Sequence, residues 1–135
     1  MKAILSLSGG LDSTALLLHL IKKGYDIHTI SYYYGQKNKV ELDGLARILH
    51  YLEYKDLPIR NQRVDLSSVF GTFNSSLTSS DIDVPTGTTD ESKMKMNFVP
   101  NRNAIFSSVL YGFAVSIAKD SDTKVDVCLG VHAGD

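Results

Sequence analysis

The chain is poor in cysteine, in long apolar runs and in excess charge of either sign. Its 135 residues contain one cysteine, Cys128, which excludes an internal disulfide and favours the cytoplasm. The formal net charge of −1 disfavours a general nucleic-acid or membrane surface. The apolar runs are too short to span a bilayer, and Met1-Lys2 leads into a predicted strand without a secretory pattern. We expect one domain with a substantial core.

Hydrophobic patterning predicts alternating strands and helices. The predicted strands are Lys2–Leu7, Ile27–Tyr34, Arg63–Leu66 and Val125–Val131. The predicted helices are Leu11–Lys23, Asn38–Leu52 and Arg102–Ala118, of which the last is strongly apolar and expected to be well buried. This order predicts an α/β fold with a parallel, Rossmann-like sheet, whose ligands bind at the carboxyl ends of the strands.

The stretch between the third predicted strand and the third predicted helix, about residues 67–97, has a different composition. It is rich in Ser, Thr, Asp and Gly and has few large apolar side chains. A connection of this length without secondary structure is uncommon inside a compact domain, and it is usually functional or disordered. We therefore predict a lid or a disordered insertion here.

A glycine-rich string joins the first predicted strand to the first predicted helix. Its glycines permit a sharp turn close to a ligand, and the helix start offers unpaired N–H groups to phosphate oxygens. Asp12 is a candidate Mg²⁺ ligand. The predicted phosphate-binding string is consecutive: Leu7, Ser8, Gly9, Gly10, Leu11, Asp12, Ser13, Thr14, Ala15, Leu16 and Leu17. The alternative is an ordinary turn in which Asp12 or Ser13 caps the helix. The string lacks the lysine of a Walker P-loop and the third glycine of a dinucleotide site.

A second group of candidates lies at other helix starts and strand ends. Arg102 falls in the first turn of its predicted helix, where the dipole disfavours a cation unless an anion binds there too. We interpret it as a phosphate or carboxylate clamp, with a solvated surface arginine as the alternative. The polar and glycine candidates are Tyr34, Gln36, Glu41, Asn103, Gly130, His132 and Asp135. Strand packing explains Tyr32 and Tyr33 equally well, a surface acid is the alternative for Glu41, and a structural histidine for His132.

Together these motifs resemble the 7-cyano-7-deazaguanine (preQ0) synthases, a branch of the PP-loop ATP pyrophosphatases. The matching pieces occur in the family's order: Ser8–Ser13, Tyr34-Gly35-Gln36 with Glu41-Leu42, Leu77-Thr78-x-Ser80-Asp81, Phe98-Val99-Pro100-x-Arg102-Asn103, and Gly130-Val131 through Asp135. The first piece is shared by many PP-loop enzymes, whereas Tyr-Gly-Gln and Val-Pro-x-Arg-Asn narrow the resemblance to this branch. The implied fold is a single PP-loop domain of the adenine nucleotide alpha hydrolase-like type, covering residues 1–135.

The resemblance implies ATP and Mg²⁺ as cofactors, and 7-carboxy-7-deazaguanine and ammonia as substrates. In that chemistry ATP adenylates the carboxylate, ammonia displaces AMP to give an amide, and a second ATP activates the amide so that loss of AMP leaves the nitrile. Asp12, Ser13 and Arg102 are implied as catalytic, residues 7–17 as the ATP site, and the polar and glycine candidates above as substrate-binding. A cytoplasmic location without direct nucleic-acid or membrane contact is expected, with a homodimer among the expected assemblies.

The sequence also departs from the family's pattern. Lys37-Asn38 stand where the family usually has Arg-His, and Asn101 stands where it has Gly. The family continues into a Tyr-Pro-Asp-Cys segment with a four-cysteine Zn²⁺ site whose ligands this sequence lacks, and Cys128 does not match them. Two alternatives stay open: a related PP-loop enzyme that stops at the 7-amido product for DNA modification, and a nucleotide-binding module without catalysis.

Overall fold

The computed structural model describes residues 1–35, 39–57, 59–78 and 102–130, the side chains of residues 73–78 and 102 excepted. The strands in these ranges are β1 (Lys2–Ser6), β2 (Asp26–Tyr33), β3 (Arg60–Asp65) and β4 (Val125–Cys128). The helices are α1 (Leu11–Lys22), α2 (Lys39–Tyr54), α3 (Ser67–Thr78) and α4 (Arg102–Ser121). None of the described helices is long and apolar enough to cross a bilayer.

The strands form a parallel sheet in the order β3-β2-β1-β4. Successive crossovers carry the chain from β1 to β2 and β3, and β4 then pairs with the other side of β1. The strand order therefore reverses at β1, and this reversal leaves a crevice between the carboxyl ends of β1 and β4 where α/β sheets bind ligands. The predicted α/β class with a parallel sheet is confirmed.

The central strand β1 is buried on both faces, as a parallel strand between two helical layers must be. Ala3, Ile4 and Leu5 are all completely buried. Because side chains alternate along a strand, Ala3 and Leu5 pack in the same cluster as the core leucines of α1 and α2. Ile4 faces the opposite side and packs in the cluster that contains Leu110 of α4. The crevice thus lies at the end of a strand that is buried on both faces.

The predicted lid or insertion over residues 67–97 is wrong for its first twelve residues, which form α3. The carboxylate of Asp65 accepts hydrogen bonds from the Ser67 side chain at 2.6 Å and from its backbone N–H at 2.9 Å, which fixes the start of the helix and lowers the pKa of Asp65. Phe70 is buried and anchors α3 to the body of the protein. Residues 79–97 of the predicted lid lie outside the described residues.

Three further predictions need correction. The last helix is not well buried: Leu110 and Ala114 face the sheet, whereas Tyr111 and Val115 are exposed. The apolar composition of this helix led to the wrong prediction of its burial, because apolar residues lie on both of its faces. Strand β4 ends at Cys128 rather than at residue 131, so the cysteine closes the strand instead of lying in its middle. Strand β3 begins at residue 60, three residues before the predicted start.

The one-sided burial of α4 predicts that truncating a side chain on its buried face lowers the free energy of unfolding more than truncating one on its exposed face. We expect Leu110→Ala to lower the free energy of unfolding by about 2–5 kcal/mol, because it opens a cavity against β1. The matched change Val115→Ala, on the exposed face, is expected to alter it by less than about 0.5 kcal/mol. Urea unfolding followed by circular dichroism measures both, and equal losses would contradict the one-sided packing.

Candidate active site

In the loop after β1, Gly9 is required because the backbone of α2 packs against it, and not because a ligand approaches it. Gly9 has a φ of +91°, and a Cβ there would lie 2.5 Å from the Glu41 carbonyl oxygen and 2.8 Å from the Leu45 nitrogen. The back of the loop therefore touches the backbone of α2. Gly10 is different: its backbone is extended, and its Cβ would meet only the Ser8 hydroxyl, at 3.4 Å.

Hydrogen bonds between two serines hold the loop in shape. The Ser8 N–H donates to the Ser13 hydroxyl at 3.2 Å, and the two hydroxyl oxygens lie 3.1 Å apart. The Ser8 hydroxyl also accepts from the Gly10 N–H at 3.2 Å. Ser13 is buried, so this bracing is internal to the loop.

The helix that follows starts without a side-chain cap. Gly10 is the N-cap of α1 and has no side chain to accept a hydrogen bond from the first turn. The alternative interpretation of Asp12 or Ser13 as an ordinary cap is therefore wrong. N–H groups at the start of a helix have no carbonyl partner within it, so the first turn of α1 suits an anion.

An open cleft of about 390 Å³ lies at the carboxyl ends of β1, β2 and β4. Its lining comes from the glycine-rich loop and the start of α1, from the carboxyl ends of the strands, and from α2 and α4. The lining residues are Ser6, Leu7, Ser8, Gly10, Leu11, Asp12, Ser13, Tyr32, Tyr34, Glu41, Asn103, Phe106, Ser107, Leu129 and Gly130. The cleft thus coincides with the sheet edge at which the sequence predicted ligand binding.

Aromatic side chains build the wall opposite the loop. The rings of Tyr32 and Phe106 are parallel with centroids 4.1 Å apart, and the Tyr32 hydroxyl donates to the Phe106 carbonyl oxygen at 2.8 Å. Burial raises the pKa of Tyr32, so the phenol stays protonated and keeps this donor at any physiological pH. Tyr34 lies beside them with its centroid 5.5 Å from that of Phe106. Strand packing is therefore the main role of Tyr32.

The end of β4 closes the third side of the cleft through Gly130. A Cβ at this position would lie 2.9 Å from the Asp12 carbonyl oxygen and 3.0 Å from Ser13 Cα. Glycine is therefore needed here for the backbone after β4 to approach the first turn of α1. The sequence singled out Gly130 for close approach to a ligand, and the described contact is with α1.

The structure brings most of the predicted site residues together. Those that line the cleft are Leu7, Ser8, Gly10, Leu11, Asp12, Ser13, Tyr34, Glu41, Asn103 and Gly130. Those that do not are Gly9, Thr14, Ala15, Leu16 and Leu17; the last has no exposed surface. Gln36, His132 and Asp135 lie outside the described residues, and Arg102 is described only as the first residue of α4.

Sequence reasoning missed several lining residues. Phe106 and Ser107 follow Asn103 by three and four positions on α4, so they share its helical face. The helical spacing from Asn103 is therefore the sequence signal that could have identified Phe106 and Ser107. Ser6 and Leu129 carry no such signal, because a serine and a leucine next to a strand end are common everywhere.

The charge of the described lining is negative. Asp12 and Glu41 contribute carboxylates, and none of the described lining residues is a lysine or an arginine. Carboxylate and hydroxyl oxygens are the donors that Mg²⁺ prefers, so Asp12 with the serine hydroxyls suits this ion bound beside a phosphate. Within the described ranges no group of three or more His, Cys, Asp or Glu residues is placed to hold a metal.

The two glycines of the loop are expected to respond differently to alanine. Gly9→Ala should lower the free energy of unfolding by about 2 kcal/mol or more, since the new Cβ overlaps the backbone of α2 at an unfavourable φ. Gly10→Ala should cost less than about 1 kcal/mol, because its backbone is extended and its surroundings are open. Denaturant unfolding of the two variants checks this order, and a reversed order would contradict the described loop.

Comparison with known proteins agrees with this geometry. The family described as "Queuosine biosynthesis protein QueC" matches residues 2–135. A 7-cyano-7-deazaguanine synthase from Methanoregula boonei is 39% identical over 135 residues, which are all of this chain and 58% of that protein. The enzyme of the same name from Pseudoalteromonas atlantica is 35% identical over 134 residues, 99% of this chain and 57% of that protein. The chain thus spans a little over half the length of these relatives.

Solved structures resemble the chain in fold. An NH3-dependent NAD synthetase from Campylobacter jejuni, in complex with a nitrate ion, has a TM-score of 0.52 at 21% identity and is matched over 85% of this chain and 43% of its own. A glutamine-dependent NAD+ synthetase from Acinetobacter baumannii, in complex with ADP, has a TM-score of 0.51 at 13% identity, over 92% of this chain and 20% of its own. Identities this low bear on the fold alone. With the family match over nearly its whole length, the chain belongs to the family described as queuosine biosynthesis protein QueC.

Proposed function

We propose that this chain carries the ATP-dependent conversion of 7-carboxy-7-deazaguanine and ammonia to 7-cyano-7-deazaguanine, with release of AMP and pyrophosphate. The observation that carries the proposal is that the glycine-rich loop and three of the family-specific positions, Tyr34, Glu41 and Asn103, line one cleft. The relatives of this chain bear the name of that synthase. We further propose that residues 1–135 form one PP-loop domain and that it acts in the cytoplasm, where ATP is available.

On the loop side of the cleft we propose that the chain binds the phosphates of ATP. Gly10 and the first residues of α1 line the cleft, and the amides at the start of a helix suit phosphate oxygens. The Asp12 carboxylate would hold Mg²⁺, which neutralises phosphate charge and favours attack at phosphorus. Ser13 keeps the loop in shape through Ser8. Arg102 is proposed to stabilise the charge that develops on the α-phosphate.

We propose that the part of the cleft lined by Tyr34, Glu41 and Asn103 binds the deazaguanine ring. Tyr34 supplies an aromatic surface, and Glu41 and Asn103 supply polar groups at the rim. The ring presents N–H donors at its amino and ring-nitrogen edge, and a carboxylate accepts such donors in pairs. Adenine presents one donor and one acceptor there, so Glu41 favours the guanine-type ring. Gln36, Gly130, His132 and Asp135 remain proposed substrate contacts.

The proposed reaction consists of two activations of the same carbon. A carboxylate oxygen attacks the α-phosphorus of ATP and pyrophosphate leaves, and ammonia then displaces AMP to give the amide. The amide oxygen attacks a second ATP with loss of pyrophosphate, and departure of AMP with loss of the two amide protons leaves the nitrile. Water would hydrolyse the adenylate, so the cleft must exclude it during both steps.

The proposal predicts that AMP formation depends on the organic substrate and on Asp12. Incubation with ATP, Mg²⁺, ammonium and 7-carboxy-7-deazaguanine should give AMP and the nitrile, identified by mass spectrometry. Asp12→Asn should lower the rate at least about tenfold, because the ion loses a charged ligand. Asp120→Asn, an exposed change at the far end of α4, is the control. The amide alone would indicate the DNA-modification alternative, and binding of ATP without AMP the non-catalytic module.

The role of Glu41 predicts a selective loss of substrate affinity. Glu41→Gln should raise the KM for 7-carboxy-7-deazaguanine by about tenfold and leave the KM for ATP nearly unchanged, because the amide replaces one acceptor with a donor. Glu53→Gln, an exposed change later on α2, is the matched control. An equal rise in both KM values would contradict a contact with the organic substrate alone.

A further inference from the structure

Tyr34 lines the cleft and is in contact with two other aromatic rings. Its centroid lies 5.5 Å from that of Phe70 at an interplanar angle of 81°, and 5.5 Å from that of Phe106 at 44°. Phe70 and Phe106 also contact each other, with centroids 5.9 Å apart at 79°. Phe70 is 1% exposed and does not line the cleft. The three rings therefore form a triangle in which Tyr34 and Phe106 line the cleft and Phe70 is buried behind them.

The backbone next to Tyr34 does little to fix its ring. Tyr34 lies just beyond the last residue of β2, outside the ladder of hydrogen bonds that holds Tyr33. The next residue, Gly35, has a φ of +126°, a conformation that the sheet does not impose. The contacts with Phe70 and Phe106 therefore contribute to the orientation of the ring. Edge-to-face and tilted contacts of the observed kind are favourable for aromatic pairs and define ring direction.

The second ring of the triangle is already fixed to the sheet. Phe106 stacks in parallel on Tyr32 at 4.1 Å, and its carbonyl oxygen accepts the Tyr32 hydroxyl. Phe70 comes from α3, whose start is held by Asp65. Two independently anchored elements thus meet at Tyr34, one from each side.

We infer that Phe70 is a positioning residue that holds Tyr34 as a stacking surface for the purine-type ring of a ligand in the cleft. The inference rests on the proposed function for the identity of the ring. Two ligands of that function carry such a ring, namely 7-carboxy-7-deazaguanine and the adenine of ATP. A ligand that stacks on an aromatic side chain already held in place binds more tightly, because no free energy is spent on ordering that side chain. No sequence motif points to this role, because Phe70 stands in the Ser- and Thr-rich stretch.

A double-mutant cycle tests the inference on the full chain. The variants are Phe70→Leu, Tyr34→Leu and the double variant, and isothermal titration calorimetry measures the Kd of 7-carboxy-7-deazaguanine and, separately, of ATP with Mg²⁺. Phe70→Leu should weaken one of these ligands by about threefold to tenfold. In the Tyr34→Leu background the same change should have almost no further effect on that Kd, because Phe70 acts through Tyr34. The ligand whose Kd rises is the one whose ring stacks on Tyr34.

Loss of stability is separated from loss of binding by a matched control. Phe113→Leu changes the same residue type in the apolar cluster under α4, away from the cleft lining. It should lower the free energy of unfolding as Phe70→Leu does, and leave both Kd values unchanged. A Phe70→Leu variant that is only less stable, or whose effect on Kd adds to that of Tyr34→Leu, would overturn the inference. So would a wild-type chain that binds neither ligand. Binding with the expected cycle but without AMP formation would instead reject the proposed function and leave Phe70 in this role.

Discussion

Backbone contacts on both sides of the loop after β1 are the constraint on which the rest of the site depends. Gly9 touches the backbone of α2, and Gly130 after β4 touches the backbone at the start of α1. Neither contact has room for a Cβ. The loop is therefore held from two directions by backbone contacts, in addition to the hydrogen bonds between Ser8 and Ser13. This arrangement places Ser8, Gly10 and Asp12 on the lining of the cleft.

The same contact with α2 determines where Glu41 lies. Its carbonyl oxygen is the atom nearest to the missing Cβ of Gly9, so the first turn of α2 and the loop form one unit. A carboxylate on that turn then falls on the cleft. The aromatic wall is positioned independently, through β2, α3 and α4. The cleft is thus the gap between a polar part, formed by the loop and the first turn of α2, and an aromatic part.

The strands and the loop were predictable because their signals are local. Alternation along β1 puts Ala3 and Leu5 on one face and Ile4 on the other. The serine–glycine string by itself predicts the turn between a strand and a helix. Helix α3 was not predictable, because a single large side chain, Phe70, anchors a Ser- and Thr-rich segment through tertiary contacts. The exposed face of α4 was hidden for the opposite reason. Its apolar residues, such as Val115, occur on both sides of the helix, and only the position of the sheet decides which side is buried.

Charge balance links the two halves of the proposed mechanism. The described lining carries the carboxylates of Asp12 and Glu41 and no cationic side chain. The phosphates of ATP would add more negative charge to this cleft, so the loop amides and the helix dipole alone are not enough to hold them. Positive charge has to enter with the nucleotide as Mg²⁺, or come from the start of α4, where Arg102 stands next to Asn103. Under the proposed function, the phosphates therefore meet positive charge from Mg²⁺ or from Arg102. The Glu41 carboxylate would disfavour phosphate at its own end of the cleft and would accept the hydrogen-bond donors of the proposed organic substrate.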